Sequence, residues 1–227
     1  MKRFFSTTGV TWNTILVATA IFACFILPLF SFAWYHGLYR VVYSMLYFSA
    51  IFSLQKRGNY LLALFIVTLL LEWISGILNL DDLMIVSKAV NVLFFLVIVV
   101  SLIRQIATAR VVTATVILGS VASYLLLGII YSIFIAMIIH HDPKAFNVNQ
   151  SDFEQAREVS SLSLPMYWGF VTMTTVGYGD VLPLKPYTRS LATFIAVSGQ
   201  FYMAIIVAML VGKFAAQNDF KNSDTSD

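Results

Sequence analysis

Six long apolar runs, near residues 12–34, 39–55, 60–79, 83–103, 110–139 and 187–213, constrain this chain more than any other feature. Each is long enough to cross about 30 Å of hydrocarbon at ~1.5 Å of helix rise per residue. Hydrophobic residues make up 59% of the 227 and charged residues 11%, against roughly 25% charged in a soluble domain. Most of the remaining charges sit between the runs. An all-α integral membrane protein with six transmembrane helices follows. Juxtamembrane Lys and Arg account for the net charge of +3, so the expected surroundings are a lipid bilayer and no nucleic acid. Cys24 is the single cysteine, which excludes an intrachain disulfide. No Cys/His cluster has metal-ligand spacing, and no cofactor is expected.

The N-terminal run follows Lys2 and Arg3, as in a signal peptide, but it exceeds a signal core in length and reads as a retained span. Trp12 and Trp34 flank it, roughly 33 Å apart along a helix, which sets an indole at each interface. Pro28 within it predicts a kink.

Loop charge gives the orientation. With the N-terminus inside, the inner segments hold Lys2, Arg3, Lys56, Arg57, Arg104, Arg110, Lys213 and Lys221. The outer ones hold Asp81, Asp82, Asp142, Asp152, Glu154, Glu158 and Asp180, with Arg40, Lys144, Arg157, Lys185 and Arg189 mixed among them. The bias predicts a multi-pass protein of the cell membrane with both termini cytoplasmic. Residues 140–186 then face outward.

That outer segment contains Thr174-Thr175-Val176-Gly177-Tyr178-Gly179-Asp180. A cation stripped of water in a low-dielectric membrane needs replacement oxygens. Backbone carbonyls supply them only if consecutive groups point the same way, which demands angles that glycine accepts, at Gly177 and Gly179. Thr175 adds a hydroxyl at the inner end, and Val176 and Tyr178 point outward to brace the ribbon. One strand carries too few oxygens, so four copies must converge, and a homotetramer is expected. Leu162 to Met173 is apolar yet too short to span. It suits a re-entrant pore helix handing over to the filter, where irregular backbone is tolerated at depth.

Residues 165–189, from Pro165-Met166-Tyr167-Trp168-Gly169 through the heptapeptide to Arg189, resemble the pore region of the potassium channel superfamily, and with the flanking helices the similarity covers roughly 110–213. The resemblance implies K⁺ as permeant ion and Thr175, Val176, Gly177, Tyr178 and Gly179 as the ion-binding selectivity filter, with K⁺ sites at the carbonyls of the first four. It implies that Asp180, with Thr174 nearby, is supported by hydrogen bonds from Tyr167 and Trp168. Many members carry two tryptophans at that aromatic pair, so Tyr167 is a departure. It also makes Gly199 a candidate gating hinge, the alternative being a close helix-packing glycine. Gln200 faces either the cavity or a neighbouring helix. Thr188 stands where a glycine is common.

Six spans with the pore last resemble a bacterial-type, voltage-gated plan, with a four-helix voltage-sensor-like peripheral domain over 1–104, a pore domain over 105–215 and a short cytoplasmic tail over 216–227. A voltage sensor needs several cations at every third position of the fourth span, and 83–103 offers only Lys88, without an arginine repeat. Four such lysines per tetramer give at most about 9 kcal/mol per 100 mV, against roughly 28–37 for three or four charges per subunit. Strong voltage gating is not expected. If the third and fourth spans turn near residues 79–82, Glu72 and Lys88 face each other as an intramembrane pair; the alternative is a Lys88 that snorkels to Asp81 and Asp82.

Arg104 to Arg110 reads as a short polar linker at the inner interface. His140 and His141 read as solvated rather than as pH sensors, and the tail after Lys213 as polar and disordered, leaving ligand control to an unidentified regulatory partner or the membrane. The rival functions are a weakly selective cation channel and a non-conducting, channel-like regulatory subunit. The intact tyrosine and second glycine favour a selective pore. No nucleophile, base and acid are grouped, so no enzyme activity is expected.

Overall fold

A computed structural model describes residues 2–29, 35–54, 58–78, 81–148 and 162–223. Trp34, Lys56, Arg57, the acidic residues within 149–161 and residues 224–227 lie outside the described residues. Seven α-helices carry the described fold: α1 (Lys2–Ile21), α2 (Tyr35–Ser53), α3 (Asn59–Leu78), α4 (Asp81–Thr108), α5 (Ala114–His141), α6 (Ser163–Met173) and α7 (Pro186–Ser223). Two-residue strands β1 (Phe146–Asn147) and β2 (Leu182–Pro183) pair antiparallel, Phe146 opposite Pro183.

Among the described residues, five helical stretches are long and apolar enough to cross a membrane: Gly9–Leu29, Asn59–Leu78, Asp82–Thr108, Ala114–His141 and Pro186–Gln217. The expectation was six. The stretch that falls short is α2, because Arg40 and four tyrosines (Tyr35, Tyr39, Tyr43 and Tyr47) lower its apolarity.

Near Pro28 the first span departs from α-geometry as a π-turn over Phe22–Ile26 and a 3₁₀ turn over Leu27–Leu29, a pairing typical of a helix adjusting around a residue that cannot donate. Helix α4 runs to Thr108, well past the expected end of the fourth span, so the linker to α5 shrinks to residues 109–113. Burial explains the extension: Ile106 packs with Val116, Tyr202 and Ile206. At the other end of the chain, α7 continues to Ser223 rather than dissolving after Lys213. Ala215, Ala216 and Gln217 are strong helix formers, and no breaker follows Lys213 before Ser223.

Helix α5 is the hub. On one side it joins α1, α2 and α4 in a core that includes Leu46, Ile98, Leu102, Leu126, Ile129 and Ile133. Within it Tyr39 stacks on Tyr43 at 4.2 Å, and Tyr47 meets Phe94 and Phe95 edge-on or tilted at 5.4 and 5.3 Å. On its other side Tyr131, Ile135 and Ile139 pack with Phe146, Trp168, Met173 and Ile195 from β1, α6 and α7. One helix thus carries the peripheral helices on one face and the loop-bearing unit on the other.

Candidate functional site

Helix α6 ends at Met173, and the chain leaves it without a break in hydrogen bonding. The Thr174 hydroxyl and amide both donate to Phe170 O, at 2.7 and 2.9 Å, and the Thr175 amide donates to Thr172 O at 3.0 Å. Val176 N, at 3.0 Å, and Gly177 N, at 3.4 Å, both reach Val171 O. Every second residue then enters the left-handed region: Thr175 at φ 60°, Gly177 at 56° and Gly179 at 81°. This alternation is what turns successive carbonyls to one side of a ribbon, whereas an ordinary strand alternates them. Gly177 and Gly179 adopt it without steric cost. Thr175 is the one non-glycine residue with positive φ among the described residues, a strained position for a β-branched side chain.

Residues 174–180 are all exposed on the surface of the single chain, Tyr178 by 72%. The outer end is braced from behind. Tyr167 Oη donates to Asp180 Oδ2 at 2.5 Å, and its ring lies parallel to that of Tyr178 at 6.5 Å. The Tyr167 donation holds the Asp180 carboxyl below its ordinary range. Trp168 turns elsewhere: its Nε1 donates to Val181 O at 3.0 Å, and its ring meets Phe146 edge-on at 4.9 Å. Tyr167 and Asp180 are thus brought together, and Trp168 supports the following residue.

Gly199 lies where α7 crosses the end of α6. A Cβ there would stand 2.4 Å from Met173 O and 2.5 Å from its Cγ, so this glycine is required for close approach whether or not α7 bends at it. Gln200, its neighbour, is exposed.

Several residues to which the sequence assigned no role complete the frame. Thr188 is fully buried, and its hydroxyl donates towards Ala145 O at 3.2 Å and accepts from Lys185 N at 3.1 Å, tying the start of α7 to β1. Leu184 N adds a bond to Ala145 O at 2.9 Å. Tyr187 Oη donates to Asp142 Oδ2 at 2.6 Å, and this bond, with the Lys144 amide, holds the Asp142 carboxyl below its usual range. Deeper in, the Ser123 and Tyr202 hydroxyls meet at 2.5 Å, as do those of Tyr131 and Ser198. Serines and tyrosines in apolar runs have no recognisable spacing, and only the packing of α5 on α7 pairs them.

Glu72 and Lys88 are side by side in the structure. Lys88 Nζ lies 3.3 Å from Glu72 Oε1 and donates to Tyr39 Oη at 2.7 Å, with the Tyr39 ring 4.5 Å below the ammonium. Glu72 Oε2 accepts from Ser87 at 3.0 Å and Asn91 at 2.7 Å. Both charges are buried. Among the described residues, no group of three or more His, Cys, Asp or Glu side chains is placed to hold a metal ion.

Among the described residues, five apolar helices of spanning length mark a multi-pass membrane protein. Residues 120–216 match the protein family described as ion channel. Curated relatives agree: over 61 residues, 27% of this chain, it is 38% identical to potassium voltage-gated channel subfamily A member 10 of Homo sapiens. Over 86 residues, 38% of this chain, it is 31% identical to potassium voltage-gated channel subfamily A member 5 of Oryctolagus cuniculus. The chain covers 12% and 14% of the length of these two relatives. No solved structure matches. Over residues 120–216 the chain is thus similar to ion channels, and the relatives it matches are potassium channels.

Proposed function

We propose that this chain is one subunit of a homotetrameric, potassium-selective channel of the cell membrane. It spans the membrane six times, the less apolar α2 crossing with the five more apolar helices, so that both termini are cytoplasmic, and α6 is its re-entrant pore helix. K⁺ passes along the carbonyls of Thr175, Val176, Gly177 and Tyr178, with Gly179 and Asp180 at the outer mouth. The observation that carries the reading is the alternation of left-handed backbone at Thr175, Gly177 and Gly179, in a segment exposed on its own chain. A single ribbon offers a desolvated ion oxygens on one side only, and three further copies around a fourfold axis complete the shell.

Voltage is not the main stimulus in this reading. Helix α4 contains Lys88 and Arg104 as its cations, and Lys88 is held by Glu72 and Tyr39. A planar bilayer with K⁺ on one side and Na⁺ on the other tests selectivity and gating together. The expected result is a reversal potential near the K⁺ equilibrium value with shallow dependence on voltage. A reversal potential near zero would sink selectivity, and steep activation would sink the account of α4.

A further inference from the structure

Lys213 reaches from the inner end of α7 to a different helix altogether. Its ammonium donates to Ile106 O at 2.7 Å, Ala107 O at 2.7 Å and Ala109 O at 2.8 Å. The last four carbonyls of a helix have no partner of their own, and these lie at or just beyond the end of α4. Three donors is the full capacity of an ammonium, and the neutral carbonyls each receive a charge-assisted bond. A turn further along α7, Gln217 Oε1 accepts from Val112 N at 3.2 Å, in the five-residue linker. Just before Lys213, Tyr202 and Ile206 pack on Ile106 and Val116. Polar and apolar contacts therefore fix the inner end of α7 to the place where α4 hands over to α5.

We propose that Lys213 is a coupling residue: by capping the C-terminal end of α4 it fastens the inner helix of the pore to the peripheral helices of the same chain, and so positions the cytoplasmic mouth. A basic residue serving only the membrane interface would point to water or lipid headgroups. The side chain instead spends all three donors on one helix end. The linker is too short to act as an independent lever: fully extended, its five residues reach ~18 Å. The inner end of α7 and the end of α4 then shift as one body. The consequence for gating rests on the channel reading above, whereas the attachment itself does not.

Hydrogen exchange on the full chain in lipid nanodiscs, with K⁺ flux from the same preparations in liposomes, separates the two. Lys213→Met is expected to speed exchange at least tenfold over 103–113 and 209–217 while leaving 163–180 unchanged, and Lys213→Arg to stay within twofold of the wild type. Flux through Lys213→Met should change at least fivefold with the K⁺/Na⁺ ratio preserved, and Lys213→Arg should restore it. Unchanged exchange in both segments overturns the attachment. A rise spread evenly over the whole chain overturns it as well, since that marks a general loss of stability. Altered exchange with unaltered flux overturns the coupling to the mouth. A wild-type protein that passes no K⁺ while the exchange pattern holds sinks the channel reading and leaves the attachment standing.

Discussion

At the scale of single residues, small changes of chemistry are expected to have large effects because the loop has little tolerance. Tyr167 and Asp180 form a pair in which the neutral phenol donates to a carboxylate, and the bond keeps Asp180 ionised below its ordinary pKa. A depressed folded-state pKa contributes stability that is present above the unfolded value and is lost as pH falls through the folded one. Tyr167→Phe removes the donor and raises the folded value towards that of a free carboxyl. Flux titrated from the outer side should therefore fall at a higher pH in Tyr167→Phe than in the wild type; coincident curves would count against the bond. Gly199 has a purely steric requirement. Gly199→Ala places a methyl group 2.4 Å from Met173 O, against the turn that feeds Thr174 and Thr175. Flux should drop at least tenfold and the tetramer should dissociate at a lower temperature on heated gels. An unaffected variant would show that α6 and α7 can separate freely.

The left-handed backbone at Gly177 and Gly179 was legible in the sequence because its cause is local: glycine at alternate positions needs no distant partner. Trp168 was read only in part, since a nitrogen donor can be foreseen but its acceptor, Val181 O, depends on how β2 lies against β1. Lys213 carried the opposite difficulty. A lysine at the end of an apolar run fits the interface so well that sequence alone gives no reason to seek another role for it.

Among elements, α3 and α4 form the unit whose energetics are most exposed to test. Breaking one side of a buried ion pair costs roughly 3–5 kcal/mol, because the remaining charge keeps its desolvation penalty, whereas removing both is often close to neutral. Glu72→Gln and Lys88→Met should each lower the yield of folded protein in membranes, and the double variant should recover most of it. Equal damage in all three would mean that Ser87, Asn91 and Tyr39 satisfy the lone charges. The hairpin was foreseeable because two isolated charges at equal distance from a polar turn have few other partners. The ends of α4 and α7 were not, since Ile106, Lys213 and Gln217 extend them through contacts between segments a hundred residues apart.

For the whole molecule, the proposed assembly makes stability depend on the ion. A site that exists only where four chains meet binds the tetramer and not the monomer, and a ligand of that kind stabilises by mass action. At a K⁺ concentration 100 times the dissociation constant the gain is about 2.7 kcal/mol per site. The tetramer should survive heating to a higher temperature in K⁺ than in Na⁺ or a large organic cation, read as the band position on a gel. Equal survival in all three would remove the ion from the assembly.

Helix α6 runs from Ser163 to Met173 and stops where the loop of alternating left-handed residues starts. Its peptide units align so that about half a unit of negative charge gathers at that last turn. In a fourfold assembly four such ends converge below Thr175, at mid-membrane, where water is scarce and counter-charge is far away. The loop would then have an attractive potential beneath it built from backbone alone, needing no carboxylate in the pathway and insensitive to pH.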